Sequence, residues 1–148
     1  IQGEIMNVSR SPDREFSERT LPREDWRRGF GLMRGVIIDV HVLVRNRQFD
    51  MIGVMNAHPD MLGIAIDENT AIVVQGDEFE VIGTSYAIIH DNQRELPPDG
   101  PETMRTVGGP FYFLRPGDTY NLKTREAFRA TRTEEPIARV APRRGGAP

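Results

Sequence analysis

The 148-residue chain contains no cysteine, which excludes disulfides, thiolate metal sites and a cysteine nucleophile while leaving the compartment, cytoplasmic or periplasmic, open. Lysine is almost missing as well: of 19 basic residues only Lys123 is a lysine. Such a skew can follow genome composition, so the arginines are not each read as ligands. No apolar run approaches the roughly 18 residues that a transmembrane helix needs. The net charge of −3 argues against a general nucleic-acid binder, whose affinity comes from neutralising phosphates. The first residue is Ile1 rather than methionine, and neither the basic flank nor the apolar stretch of a signal peptide comes after it. A fragment of a longer polypeptide is the expectation.

What is present fits one modest globular core: 38% of the residues are hydrophobic and 28% charged. Residues 1–34 are polar, with Pro12 and Pro22 breaking any long helix, and read as a surface loop. Gly35-Val36-Ile37-Ile38-Asp39-Val40 is a β-branched run without alternation, the pattern of a strand buried on both faces. From about Arg45 to Ala57, Phe49, Ile52 and Met55 recur at helical spacing, and the segment ends before Pro59. Strand then helix implies an α/β arrangement. Leu62–Ile66 is a second buried strand, Thr70–Val74 a third, Glu78–Gly83 a half-exposed fourth and Ser85–Ile89 a similar fifth. The expected fold is therefore α/β, a mixed and mostly parallel sheet flanked by helices that finishes in antiparallel hairpins. Residues 91–110, with four prolines, read as a loop. Phe111–Leu114, a Pro116-Gly117-Asp118 turn and Tyr120–Leu122 read as a last hairpin. Residues 131–148 read as a flexible tail.

In α/β sheets ligands gather beyond the carboxyl ends of strands. Two polar clusters occupy such ends: Asp39-Val40-His41 and Asp67-Glu68-Asn69. A histidine and a carboxylate on neighbouring strand ends can hydrogen-bond, the carboxylate fixing the tautomer that a general base requires. From spacing alone it stays open whether these residues do chemistry or simply cap strands and turns.

The run from Gly35 to His41, then Arg45 and Arg47, then Leu62-Gly63-Ile64-Ala65-Ile66-Asp67-Glu68-Asn69-Thr70-Ala71 resembles cyanophycinase and its relatives in the peptidase E group. Gly108-Gly109-Pro110-Phe111 and Pro116-Gly117-Asp118 add to the resemblance. It implies a serine-type exopeptidase with Ser, His and Glu in that order along the chain and no cofactor or metal. His41 would be the catalytic histidine and Glu68 the acid that orients it. Asp39 would belong to the pocket, and Arg45 and Arg47 would line a groove for aspartate-rich peptides such as β-Asp-Arg polymers, since guanidinium pairs bidentately with carboxylate. A homodimer is also implied, and no nucleic-acid or membrane partner. Two positions depart from the family pattern: Val40 stands where relatives carry glutamine, and Asp50 where they carry a third arginine.

The family nucleophile sits upstream of the histidine on a tight, glycine-flanked strand-to-helix turn, which exposes its hydroxyl and builds the oxyanion hole. Ser9, Ser11 and Ser17 have no such setting. Gly83-Thr84-Ser85-Tyr86-Ala87 imitates the elbow in letters but comes after the histidine and runs into another strand, so Ser85 is rejected. The serine is expected from an N-terminal partner chain of the same precursor, cut between the elbow and Ile1, with residues 1–34 as the nicked loop. Two rival readings are an inactive homologue that binds acidic peptides and a metal-binding β-barrel using His41, His58 and His90; the latter has no ligand-type histidine spacing.

Overall fold

A computed structural model of the chain describes residues 2–8, 15–93 and 111–130. Among the described residues ten strands and two helices succeed one another: β1 (Gly3–Asn7), α1 (Phe16–Arg19), β2 (Trp26–Arg28), β3 (Met33–Val40), α2 (Met51–Ala57), β4 (Leu62–Ile66), β5 (Thr70–Gln75), β6 (Glu78–Gly83), β7 (Ala87–Asp91), β8 (Phe111–Leu114), β9 (Thr119–Asn121) and β10 (Glu126–Phe128). They form a six-stranded sheet, β2-β1-β3-β4-β7-β8, and a four-stranded sheet, β10-β9-β6-β5. The first sheet is mixed: β1 and β4 pair parallel to β3, and the remaining pairings are antiparallel. The expected mixed α/β fold is present.

The unalternating run in β3 is explained by the layers. Val36 and Ile38 face the second sheet, where they pack with Leu62, Ile64, Ile89, Phe79, Val81 and Tyr120. Ile37 faces the other way, against Ile5, Ala65, Ile88 and the α2 residues Met51, Val54 and Met55. One face is thus covered by a helix and the other by a sheet. Gly63 lets α2 approach, since a Cβ there would lie 2.4 Å from the Met51 sulfur and 2.8 Å from that of Met55.

Several expectations are corrected. The described part of residues 1–34 is not all loop: β1 is an interior strand, with Gly3, Ile5 and Asn7 buried, because Ile5 completes the core under α2. Ser85–Ile89 does not resemble its half-exposed predecessor: β7 begins two residues later and is buried throughout, because it returns to the first sheet between β4 and β8. Phe111–Leu114 and Tyr120–Leu122 are not a hairpin, since β8 pairs with β7 and β9 with β6 and β10. The Pro116-Gly117-Asp118 turn carries the chain from one sheet to the other, held by buried Asp118, which accepts the N–H groups of Arg115 and Ala130. The helix expected from Arg45 begins only at Met51. Residues 94–110 of the expected loop and the expected tail lie outside the described residues.

His90 ends up fully buried beside Gly63 and stacked on Phe111 at 5.6 Å, and neither ring nitrogen has a hydrogen-bond partner among the described residues. Burial pushes its pKa down from 6.5 to about 4. The unfolded chain takes up a proton near 6.5 and the folded one only near 4, so stability falls as pH drops through that window, by on the order of 3 kcal/mol in all. Urea unfolding of His90→Phe should show this acid-side slope flattened relative to the unsubstituted protein.

Candidate functional site

The parallel pairing of β3 with β4 runs in register to the last residue, Val40 opposite Ile66. The two strands therefore stop side by side, and the His41 N–H donates to the Ile66 carbonyl at 2.8 Å. Past that point the backbone of His41 turns left-handed, at φ 60°. This turn sends its ring toward the next strand end, where Nδ1 lies 3.2 Å from Glu68 Oε1. The contact is an ion-pair distance without hydrogen-bond alignment; catalytic hydrogen bonds are commonly loose before substrate is bound. The His41 side chain is 44% exposed although Nδ1 itself is buried, so the exposure belongs to the Nε2 side of the ring. A histidine whose Nδ1 faces a carboxylate while the rest of its ring is exposed is an arrangement that a general base can use.

Asp67, one residue before Glu68, points elsewhere. Its Oδ1 accepts the N–H groups of Leu43 at 2.9 Å and Val44 at 3.1 Å, and its Oδ2 accepts the Ser85 hydroxyl at 2.6 Å. Burial opposes the charge, but the Ser85 hydroxyl and the N–H groups of Val44, Glu68 and Leu43 outweigh it and hold the pKa below the usual carboxylate range. Ser85 lies in the bend between β6 and β7 with its proton engaged by Asp67, a poor setting for a nucleophile.

Asp39 and Arg47 are brought together, but under the surface. Asp39 is 2% exposed; it accepts the Asn7 amide at 2.8 Å, the Val40 N–H at 2.8 Å and the Arg47 guanidinium at 3.3 and 3.4 Å. Burial raises its pKa despite Arg47, Asn7 and the Val40 N–H, and nearby Asp50 raises it further. Arg47 also donates to Asp50 at 3.3 Å, and Arg19 approaches Asp50 at 3.9 Å. Position 50 is therefore a buried partner of Arg47. Arg45, by contrast, is exposed and makes no ion pair among the described residues. Asn7 and Asp67 were missed as site residues because their roles depend on strand neighbours distant in sequence; the adjacent carboxylates Asp67-Glu68 were the one local signal.

The remaining histidines stand apart. His58 lies 3.4 Å from Glu24 and edge-on to Trp26, and His90 is in the core. Among the described residues no group of three His, Cys, Asp or Glu side chains is placed to hold a metal. A cavity of about 380 Å³ lined by Met33, Gly35, Leu62 and Asp77 opens at the opposite ends of β3 and β4, away from His41.

No protein-family model matches the chain. It is 34% identical over 110 residues to the cyanophycinase of Geminocystis herdmanii, covering 69% of this chain and 40% of that protein. It is 30% identical over 134 residues to the cyanophycinase of Synechococcus elongatus, covering 85% and 40%. It is 34% identical over 109 residues to the cyanophycinase of Trichormus variabilis, covering 68% and 36%. The chain thus spans about two fifths of the length of the curated relatives it matches.

Replacing Arg47 by Met should destabilise the fold by about 3–5 kcal/mol, because two buried carboxylates lose their shared cation. The deficit, measured by urea unfolding, should shrink as pH falls and Asp39 sheds its charge by protonation.

Proposed function

Since the chain belongs to the cyanophycinase-like family, we propose that it is the part of a serine-type peptidase that supplies the general base His41 and its orienting acid Glu68. The 3.2 Å approach of His41 to Glu68 at adjoining strand ends carries the reading. In it, His41 Nε2 takes the proton of an attacking serine hydroxyl and later delivers it to the leaving amine. Glu68 keeps the proton of the neutral ring on Nδ1 and stabilises the imidazolium formed in between.

The nucleophile is proposed to come from a segment outside this sequence. Among the described residues before His41 no serine lies in a strand-to-helix elbow, and the Ser85 proton is engaged by Asp67. The substrate class is aspartate-rich peptide, with β-Asp-Arg polymer as the leading candidate and isoaspartyl and aspartyl dipeptides behind it. Arg45 is exposed, four residues past His41, and its guanidinium is suited to a substrate carboxylate. In this reading Asp39 and Arg47 act on the pocket from beneath, by shaping the segment after His41, and a homodimer is the proposed assembly.

His41→Ala should cut cyanophycin hydrolysis by the protein together with its serine-bearing segment by about 10³-fold or more, with an unchanged circular dichroism spectrum. Full activity in this variant would remove His41 from the mechanism. A fluorophosphonate should label the partner segment and spare Ser85. Absence of any labelling or hydrolysis, with acidic peptides still bound, would instead establish an inactive binding homologue.

A further inference from the structure

Asp67 takes no part in the proton transfers proposed above, yet it ties together three segments that meet at the site. It lies at the end of β4, directly before Glu68. Through Oδ1 it holds the backbone two and three residues past His41, and through Oδ2 it holds the β6–β7 bend. It is only 7% exposed.

The segment it grips is the one that needs gripping. A non-glycine residue at φ 60° occupies a sparsely populated region and stays there only when its surroundings over-determine it. On the upstream side, His41 is fixed by its own N–H on the Ile66 carbonyl at 2.8 Å. On the downstream side the Val42 carbonyl closes the turn locally by accepting the Arg47 N–H at 2.6 Å, and the anchors that tie the turn to a neighbouring strand end are the Leu43 and Val44 N–H groups on Asp67. Both anchors belong to the end of β4, the strand end that carries Glu68. The position of His41 is thereby set relative to Glu68 and not merely relative to the rest of the fold. Val42 is fully buried and Arg47 is pinned to Asp39 and Asp50, so without Asp67 the segment would remain folded. What would be lost is the aim of the imidazole.

We infer that Asp67 is the positioning residue of this site: its carboxylate clamps the turn after His41 to the end of β4 and so holds the imidazole against Glu68. The inference rests on the peptidase reading for its catalytic consequence, but its geometric part can be tested without that reading.

The test compares Asp67→Ala, Asp67→Asn and Asp67→Glu in the protein with its serine-bearing segment. A displacement of about 1 Å at a reacting group is worth about 100-fold in rate. Asp67→Ala should therefore lower kcat by about that factor with KM shifted less than about threefold. Asp67→Asn should keep kcat within about fivefold, because its Oδ1 still accepts both N–H groups and its amide can donate to Ser85. Asp67→Glu keeps the charge but moves the acceptor, and should lie between; it serves if the alanine variant fails to fold. Asp67→Ala combined with Glu68→Gln should lose little beyond the single variants, since both act through His41. Wild-type kcat in Asp67→Ala, or fully additive losses in the double variant, would overturn the inference. If the unsubstituted protein hydrolyses nothing, the peptidase reading fails alone. NMR then decides the positioning: nuclear Overhauser contacts between the His41 ring and the Glu68 side chain should vanish in Asp67→Ala and persist in Asp67→Asn. Their persistence in Asp67→Ala would overturn the clamp.

Discussion

Everything at the candidate site depends on the parallel ladder between β3 and β4. Because that ladder closes at Val40 and Ile66 without a slip, the two strand ends are level, and a residue just past one can reach a residue just past the other. A shift of one residue would turn each side chain to the opposite face, burying Glu68 or withdrawing His41. The register is in turn locked from both sides. The apolar residues of β3 and β4 alternate between a core under α2 and a core against the second sheet, and neither tolerates the exchange.

The polar groups near the site are sorted by the same alternation. Asp39, on the α2 face, is drawn into a network with Asn7, Arg47 and, through Arg47, Asp50. Asp67 turns back to the loop after β3, and Glu68 alone is left half-exposed beside His41. Three carboxylates within a small volume thus have three separate environments: Asp39 raised by burial, Asp67 lowered by hydrogen bonds, and Glu68 facing the imidazole. Separating neighbouring carboxylates in this way is how one strand end can hold structural and chemical acids together.

Much of the strand framework could be read from local patterns. Val36-Ile37-Ile38 and Leu62-Gly63-Ile64-Ala65-Ile66 are dense enough in β-branched and apolar residues to declare buried strands, and the polar residues ending them mark the candidate site. The rest failed for identifiable reasons. β1 carries one buried large aliphatic residue, Ile5, in the short run Gly3-Glu4-Ile5-Met6-Asn7, so its pattern is too thin to stand out; its place in the sheet is set by β3, some thirty residues on. The turn at Pro116-Gly117-Asp118 has the letters of a hairpin, but a turn signal specifies a reversal and not the sheet in which the next strand pairs. Residues 45–50 share the helical spacing of α2, yet Arg47 is held toward Asp39 and the helix waits until Met51. Asp50, where the family pattern has an arginine, has its reason in the structure: buried, it faces the largely covered Arg47 guanidinium.

The left-handed backbone at His41 also narrows how this position can change over evolutionary time. At φ 60° asparagine and glycine are the replacements that the main chain accepts most readily, whereas β-branched residues are opposed by their own backbone before any chemistry is considered. A descendant that abandoned the proposed hydrolysis but kept the fold would accordingly pass most easily through Asn or Gly at this position. The imprint of a former active site would then survive as a polar or vacant left-handed corner at the end of β3, recognisable by its shape after its chemistry had gone.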